Sequence, residues 1–141
     1  MPQTVAVLGA SPKPERYSNQ AVRMLMDYGH DVIPVAPGRK KIEGLPAVPD
    51  MESIDRAVDT LTLYVGPDRS AQMLDAILAL KPGRVILNPG TESALLEEKL
   101  DRAGIPWQHA CTLVLLRTGQ FQDFRPVGRS EERRVGKECR S

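Results

Sequence analysis

The stretch Thr4-Val5-Ala6-Val7-Leu8-Gly9-Ala10-Ser11 decides the fold class of this chain. A short apolar run ends at a glycine, a turn of small residues follows, and a helical pattern begins at Ser18. A strand, a small-residue turn and a helix in this order open a parallel α/β sheet, and such a turn lets a phosphate-bearing ligand approach the backbone. These residues therefore predict both the sheet and the edge of it where a ligand binds.

Aliphatic runs and helical patterns continue to alternate along the chain. Strands are predicted at Thr4–Leu8, Asp31–Val35, Leu61–Val65, Arg84–Leu87 and Trp107–His109. Helices are predicted at Ser18–Tyr28, Asp68–Leu80 and Thr91–Ala103, with a short one at Met51–Ala57. This alternation favours parallel pairing with right-handed crossovers. The expected architecture is a single α/β domain, a Rossmann-like doubly wound parallel sheet of about five strands.

The end of the chain differs from the rest. The segment Arg129–Ser141 has one aliphatic residue and neither a helical face nor strand alternation. It resembles the translation of a common sequencing adapter, so we expect a disordered, non-native tail, with a genuine basic tail as the alternative. Residues 1–128 form the predicted domain. The chain has 19 basic and 18 acidic residues, and the share in the tail leaves the remainder with a formal net charge of −1.

Composition excludes several functional classes. A nearly neutral domain lacks the concentrated positive face of a nucleic-acid binder. No apolar run approaches the ~20 residues that cross a bilayer, and the start lacks the layout of a secretory signal. Two cysteines, Cys111 and Cys139, make no disulfide framework. We therefore expect a cytoplasmic protein without nucleic-acid or membrane partners; a protein partner or homo-oligomer is left open.

Small residues follow four of the predicted strands. The strand ends read Gly9-Ala10-Ser11, Val35-Ala36-Pro37-Gly38, Val65-Gly66-Pro67 and Asn88-Pro89-Gly90. Glycine and proline are common in any turn, but their recurrence at corresponding positions favours a shared groove lined by backbone. The candidate ligand contacts in these turns are Gly9, Ala10, Ser11, Pro37, Gly66, Pro67 and Gly90.

The charges near this groove argue against an ordinary NAD site. Gly9 is not followed by the two further glycines of the dinucleotide fingerprint, and the second strand ends in Val35-Ala36-Pro37 without a ribose-binding acid. A basic cluster follows instead, Arg39-Lys40-Lys41, with Arg16 in the first turn. These cations suit an extra ribose phosphate, as in coenzyme A or NADP. The alternative is that they serve solubility alone.

Several segments resemble the small CoA-binding proteins related to the nucleotide-binding domain of the succinyl-CoA synthetase α subunit. These segments are Val5–Pro12, Pro14-x-Arg16-x-Ser18, Gly29–Val35, Ile42–Pro46, Asn88-Pro89-Gly90, and Ala103–Pro106 leading to Cys111-Thr112. The resemblance implies coenzyme A or an acyl-CoA across the strand ends, with Gly9, Ala10 and Ser11 near the phosphates and Arg16 and Ser18 beside them. The family usually has Val-Asn-Pro where this chain has Val35-Ala36-Pro37, and an arginine pair where it has Arg69.

Little in the sequence points to catalysis. We expect His30 to be structural, Cys111 to be a small buried residue near the groove, and Glu97 and Glu98 to face water. No nucleophile elbow, Walker sequence or metal-ligand set occurs. The predicted function is non-catalytic binding of coenzyme A or an acyl-CoA. The alternatives are an NADP-linked oxidoreductase with a degenerate fingerprint and a protein–protein module whose groove is empty.

Overall fold

The computed structural model describes residues 2–123, so the predicted tail 129–141 lies outside the described residues. Five of its strands are β1 (Thr4–Leu8), β2 (Asp31–Val35), β5 (Thr60–Leu63), β6 (Arg84–Leu87) and β7 (Trp107–His109); a separate hairpin is formed by β3 (Lys41–Ile42) and β4 (Leu45–Pro46). The five strands form one parallel sheet in the order β2-β1-β5-β6-β7, which confirms the five-stranded α/β domain.

Helices cover both faces of this sheet, because its strands are apolar on both sides. The helices are α1 (Tyr17–Asp27), α2 (Pro67–Gln72), α3 (Leu74–Leu80), α4 (Ala94–Ala103) and α5 (Thr112–Arg117). On one face Val5 and Val7 belong to a core with Val22 of α1 and Leu115 of α5. On the other, strand residues such as Leu61 pack with residues of α3 and α4, including Ile77 and Leu100. The domain is therefore doubly wound, as predicted.

The helix predicted at 68–80 is two helices that meet at Met73. The buried side chain of Ser70 donates a hydrogen bond to the Pro67 carbonyl, and the Met73 amide donates to the Ser70 carbonyl. A serine that bonds to its own turn competes with regular helix geometry. The helix predicted from Thr91 begins at Ala94, because the Ser93 hydroxyl accepts from the Leu96 amide and caps the helix there.

Two other segments also depart from the prediction. The stiff loop expected after β2 contains the β3–β4 hairpin, and Val48 then runs beside β2, bonded to Pro34 and Ala36. The helix predicted at 51–57 is a single 3₁₀ turn, Met51–Ser53, capped by the Asp50 carboxylate. These segments bury one or two side chains each, so they carry almost no periodic signal.

A buried arginine joins the strands at the amino edge of the sheet. The Arg84 guanidinium donates to the Thr60 hydroxyl, the Gln108 side-chain oxygen and the Phe121 carbonyl, at 2.8, 3.2 and 2.6 Å. It also lies 4.4 Å from the centre of the Phe121 ring. The segment that follows α5 is thus attached to β5, β6 and β7 on the side opposite the predicted ligand groove.

His30 lies in the same region and gives a prediction about pH. It is 8% exposed, and its Nδ1 accepts from the Gln3 amide at 3.0 Å. Burial, assisted by the nearby charge of Arg84, lowers the pKa of His30 below its ordinary 6.5. The unfolded chain therefore binds this proton more readily than the fold does, so stability is full above pH 6.5 and falls as the pH drops below it. Urea unfolding across this range should show the loss, and in His30→Gln this component of the slope should disappear.

Candidate functional site at the carboxyl edge of the sheet

The order of strands creates a crevice beside β1. The chain passes from β1 outward to β2 and then returns to β5 on the other side of β1. In open parallel sheets, ligands bind at the carboxyl ends of the strands where the order reverses in this way. The carboxyl end of β1 is Leu8, and the predicted turn Gly9-Ala10-Ser11 follows it directly. The predicted ligand groove therefore coincides with the switch point of the sheet.

A cleft of about 340 Å³ opens at this point. Gly9 and Pro37, two of the predicted site residues, line it together with Leu8 and Val35 at the strand ends. Met51 of the 3₁₀ turn and Met73 at the α2–α3 junction line the opposite side. The volume lies at the lower end of the range for small-molecule sites, and apolar walls of this kind suit a flat ring such as adenine.

Charged side chains of both signs also line the cleft. Arg69 of α2 is the cation in its lining, and Asp50, Glu52 and Asp75 are the carboxylates. This balance favours the base and the sugar hydroxyls of a nucleotide over its phosphates in the cleft itself. A phosphate group would be better accommodated outside the cleft.

Gly9 is required by its surroundings. Its φ is +86°, and a Cβ there would lie 2.9 Å from Val65 Cγ1 and 3.0 Å from the Tyr64 carbonyl oxygen. The amides of Gly9 and Ala10 both donate to the Val35 carbonyl, at 3.2 Å. The turn after β1 is thus held between the ends of β2 and β5, which brings three of the predicted strand ends together.

The turn leads to the first turn of α1, which is suited to an anion. Arg16 is the cap residue, its side chain is exposed and makes no capping hydrogen bond, and the first turn of α1 holds no acidic residue. The first amides of a helix lack partners within it, and the helix dipole makes this end positive. Ser18 is buried one residue inside the helix, and Ser11 Oγ accepts from the Lys13 amide.

Asn19, which the sequence analysis did not single out, connects this turn to the basic hairpin. It is fully buried, and its amide donates to the Ser11 carbonyl at 2.8 Å and to the Glu43 carboxylate at 3.0 Å. Glu43 is in the loop of the hairpin that follows Arg39-Lys40-Lys41, all three of them exposed. The signal that could have identified it is its position three residues before Val22, which places an amide side chain on the apolar face of the helix.

The remaining predicted residues lie along the same edge but further from the cleft. Gly66 caps α2, and Pro67 is the first residue of that helix; they follow Val65, which touches the Gly9 position. Gly90 follows β6, which is two strands from β1, or about 10 Å at the usual spacing. Its amide donates to Glu92. Gly90 therefore lies at the far end of this edge and does not line the cleft.

A buried polar network supports that far end. Asn88 donates to the Thr62 hydroxyl and the Leu63 carbonyl, at 2.8 and 2.7 Å, and accepts from the Thr112 amide at 2.9 Å. The Tyr64 hydroxyl is enclosed beside this network, and burial raises the pKa of Tyr64. Cys111 directly precedes the short helix α5, its side chain makes no capping hydrogen bond, and it is half-buried instead of buried as predicted.

His109 and Glu97 form a pair that the sequence analysis did not expect. Their Nε2 and Oε2 atoms lie 2.8 Å apart, and the side chains are 8% and 16% exposed. The same Glu97 oxygen accepts from the amide of Ser93, the residue that directly precedes α4. Glu97 does not face water as predicted, because it attaches the start of α4 to the end of β7.

A known protein family matches most of this chain. Residues 3–117 match a family described as CoA binding domain. The chain belongs to this family of CoA-binding domains. The suspected resemblance is therefore confirmed, and a CoA-related role follows at the level of the family.

Individual proteins are similar to this CoA-binding domain in sequence or in structure. The cell-free ID.343 protein of Thermus thermophilus is 32% identical, with a TM-score of 0.79 over 85% of this chain and 91% of that one. YneT of Bacillus subtilis is 32% identical over 60 residues, which is 43% of this chain and 44% of the relative's length. A dinucleotide-forming acetyl-coenzyme A synthetase 1 of Ca. Korarchaeum cryptofilum, in complex with phosphate and ADP, shares the fold at 24% identity. Its TM-score is 0.65, and the match covers 76% of this chain and 25% of that one.

Two kinds of feature are absent from residues 2–123 of the CoA-binding domain. Between residues 2 and 123, no helix combines the length and the apolar character that a bilayer crossing requires. Within the same residues, the histidine, cysteine and acidic side chains form no group of three that could hold a metal ion. The cytoplasmic location stays a prediction.

Proposed function

We propose that the protein binds coenzyme A or an acyl-CoA across the carboxyl edge of its sheet, without catalysing a reaction on it. The proposal rests on one observation: Gly9 lines the cleft at the switch point, and the turn that starts at Gly9 leads to the start of α1, where Arg16 makes no side-chain capping hydrogen bond. A ligand with a flat base and a phosphate chain needs these two features side by side. Membership of the CoA-binding family supports this ligand over other nucleotides.

The charges suggest an orientation for the ligand. The adenine ring would enter the cleft between Met51 and Met73, and the diphosphate would meet the Gly9-Ala10-Ser11 turn and Arg16. The 3′-phosphate would lie toward Arg39-Lys40-Lys41, since the acidic cleft disfavours it. The pantetheine arm would then run along the ends of β5 and β6, past Gly66 and Gly90 toward Cys111.

Binding without turnover is supported by the positions of the titratable groups. Cys111 lies near the buried Tyr64 hydroxyl, and because burial raises the pKa of Tyr64 this hydroxyl stays protonated and does not supply Cys111 with a general base. Glu97 is bonded to His109 and also accepts from the Ser93 amide, so this pair attaches α4 to the end of β7. Nucleophilic catalysis requires a nucleophile within reach of a base, and these groups do not form such a pair.

Isothermal titration calorimetry with coenzyme A and dephospho-coenzyme A tests the proposal. We expect coenzyme A to bind about tenfold more tightly, because a phosphate held by charge-assisted bonds contributes about 1.4 kcal/mol. Changing Lys40 and Lys41 to Gln should remove most of this difference, and Lys99→Gln in α4 is the matched control. Equal affinity for both ligands would remove the role of the hairpin. Absence of any binding at millimolar coenzyme A would refute the proposal, and tighter binding of NADPH would favour the oxidoreductase alternative.

A further inference from the structure

We propose that Glu43, acting through Asn19, is a positioning residue for the ligand. In this inference Glu43 holds the basic hairpin against the β1–α1 turn, so that the cations of both segments act on one phosphorylated ribose. The inference rests on the proposed function, and it concerns how that site recognises the phosphate.

The hairpin loop provides the first observation. Glu43 and Gly44 form the two-residue loop between β3 and β4, with φ values of +52° and +78°. Loops with two positive φ values prefer Asn-Gly or Asp-Gly, because a longer side chain in the left-handed region is strained. A glutamate there indicates a requirement beyond the turn itself, since strained residues often have a functional reason.

The reach of the Glu43 carboxylate supplies that requirement. Its Oε2 accepts from Asn19 at 3.0 Å, and the second amide hydrogen of Asn19 lies on the Ser11 carbonyl at 2.8 Å. Arg23 donates to the Asn19 oxygen and to the Pro14 carbonyl, both at 2.8 Å. Asn19 is fully buried and cannot shift without losing these bonds. Glu43 thus attaches the hairpin to Asn19, which also holds the β1–α1 turn through the Ser11 carbonyl.

The hairpin places its cations by this connection. Ile42 is buried against the α1 core, and the Ala47 amide donates to the Lys40 carbonyl at 3.0 Å. Lys40 and Lys41 are exposed on either side of these contacts. The bond from Glu43 to Asn19 adds a second attachment, at the loop end of the hairpin, on the side of the β1–α1 turn.

Position and charge predict opposite effects at Glu43, which makes the test sharp. Removing a carboxylate next to a phosphate site should strengthen binding if charge alone matters. Glu43→Gln loses the charge but keeps an oxygen that accepts from Asn19, so we expect coenzyme A to bind as tightly as to the wild type, or more tightly. Glu43→Gly loses both, while glycine adopts the positive φ with less strain. We expect about tenfold weaker coenzyme A binding, with dephospho-coenzyme A changed less than about twofold.

Calorimetry on the three proteins, with thermal unfolding beside it, decides the matter. The melting temperature of Glu43→Gly should stay within about 3 °C of the wild type, so that weaker binding reports position and not unfolding. Glu98→Gln, in the helix α4, is the control for the loss of an exposed carboxylate. Glu43→Gly that binds coenzyme A as tightly as the wild type would overturn this inference alone. Failure of the wild type to bind coenzyme A would overturn the proposed function and this inference with it.

Discussion

Replacing Gly9 by alanine should lower the free energy of unfolding by about 3 kcal/mol and weaken coenzyme A binding at least tenfold. A side chain at φ +86° is strained, which costs about 1–2 kcal/mol. The new Cβ would also lie 3.0 Å from the Tyr64 carbonyl oxygen, a backbone atom that cannot rotate away. The turn must therefore move off the end of β5, and the part of the proposed site that would meet the diphosphate moves with it.

Urea unfolding and calorimetry measure the two effects, and Gly29→Ala separates their causes. Gly29 has nearly the same φ, +87°, but nothing lies within 4 Å of its added Cβ. It follows α1 on the opposite side from the groove. We expect this control to lose about 1 kcal/mol from strain and to bind coenzyme A normally. Equal stability losses in both variants would show that the close contact at Gly9 is unimportant.

Arg84→Met should have a comparable effect on stability by another route. Arg84 is 3% exposed, and methionine would keep its apolar length but leave two buried acceptors and the half-buried Gln108 oxygen without their donor. An unsatisfied buried polar group costs about 1–3 kcal/mol. Because some of these acceptors can find other donors, we expect a total loss of about 3 kcal/mol in the free energy of unfolding.

The control for this change is Arg102→Met. Arg102 pairs with Glu98 at 2.8 Å, but both side chains are more than half exposed, at 70% and 57%. Such a surface pair contributes about 0–0.5 kcal/mol. Both variants lose one positive charge, so a large difference between them measures burial. Since Arg84 lies at the edge away from the groove, coenzyme A affinity should change little in the folded protein. Similar stability in the two variants would contradict the structural role of Arg84.

The strands could be predicted well because their residues are apolar on both faces. The bounds of β1, β2, β6 and β7 match the prediction, whereas β5 begins one residue earlier, at Thr60, and ends two residues earlier, at Leu63. Thr60 and Thr62 are polar but fully buried, and their hydroxyls bond to Gln3, Thr112 and Asn88. Contacts of this kind join distant parts of the chain, so hydropathy along the sequence did not include Thr60.

Local side-chain bonds explain the departures among the helices. Ser70 and Ser93 each redirect one turn of backbone through a hydroxyl, and neither effect changes the spacing of apolar residues. The helix α5, which was not predicted, is six residues long and buries Leu113, Leu115 and Leu116. A pattern this short does not distinguish a helix from a strand.

Some residues of the candidate site could likewise be predicted from the sequence, and others could not. Gly9 and Pro37 were predicted and line one cleft, since the carboxyl ends of parallel strands share an edge. The acids Asp50, Glu52 and Asp75 were not predicted, because each comes from a loop or helix that folds over the strand ends. Asn19 and Glu43 are 24 residues apart and meet only through the hairpin.

The sequence by itself therefore determined the parallel sheet and the small residues along its carboxyl edge. These properties depend on hydrophobic period and turn chemistry, which are local. The tertiary structure alone decided which charges surround the cleft, how the basic hairpin is attached and why Gly9 admits no side chain. These depend on long-range packing and hydrogen bonds, whose partners cannot be read from spacing along the chain.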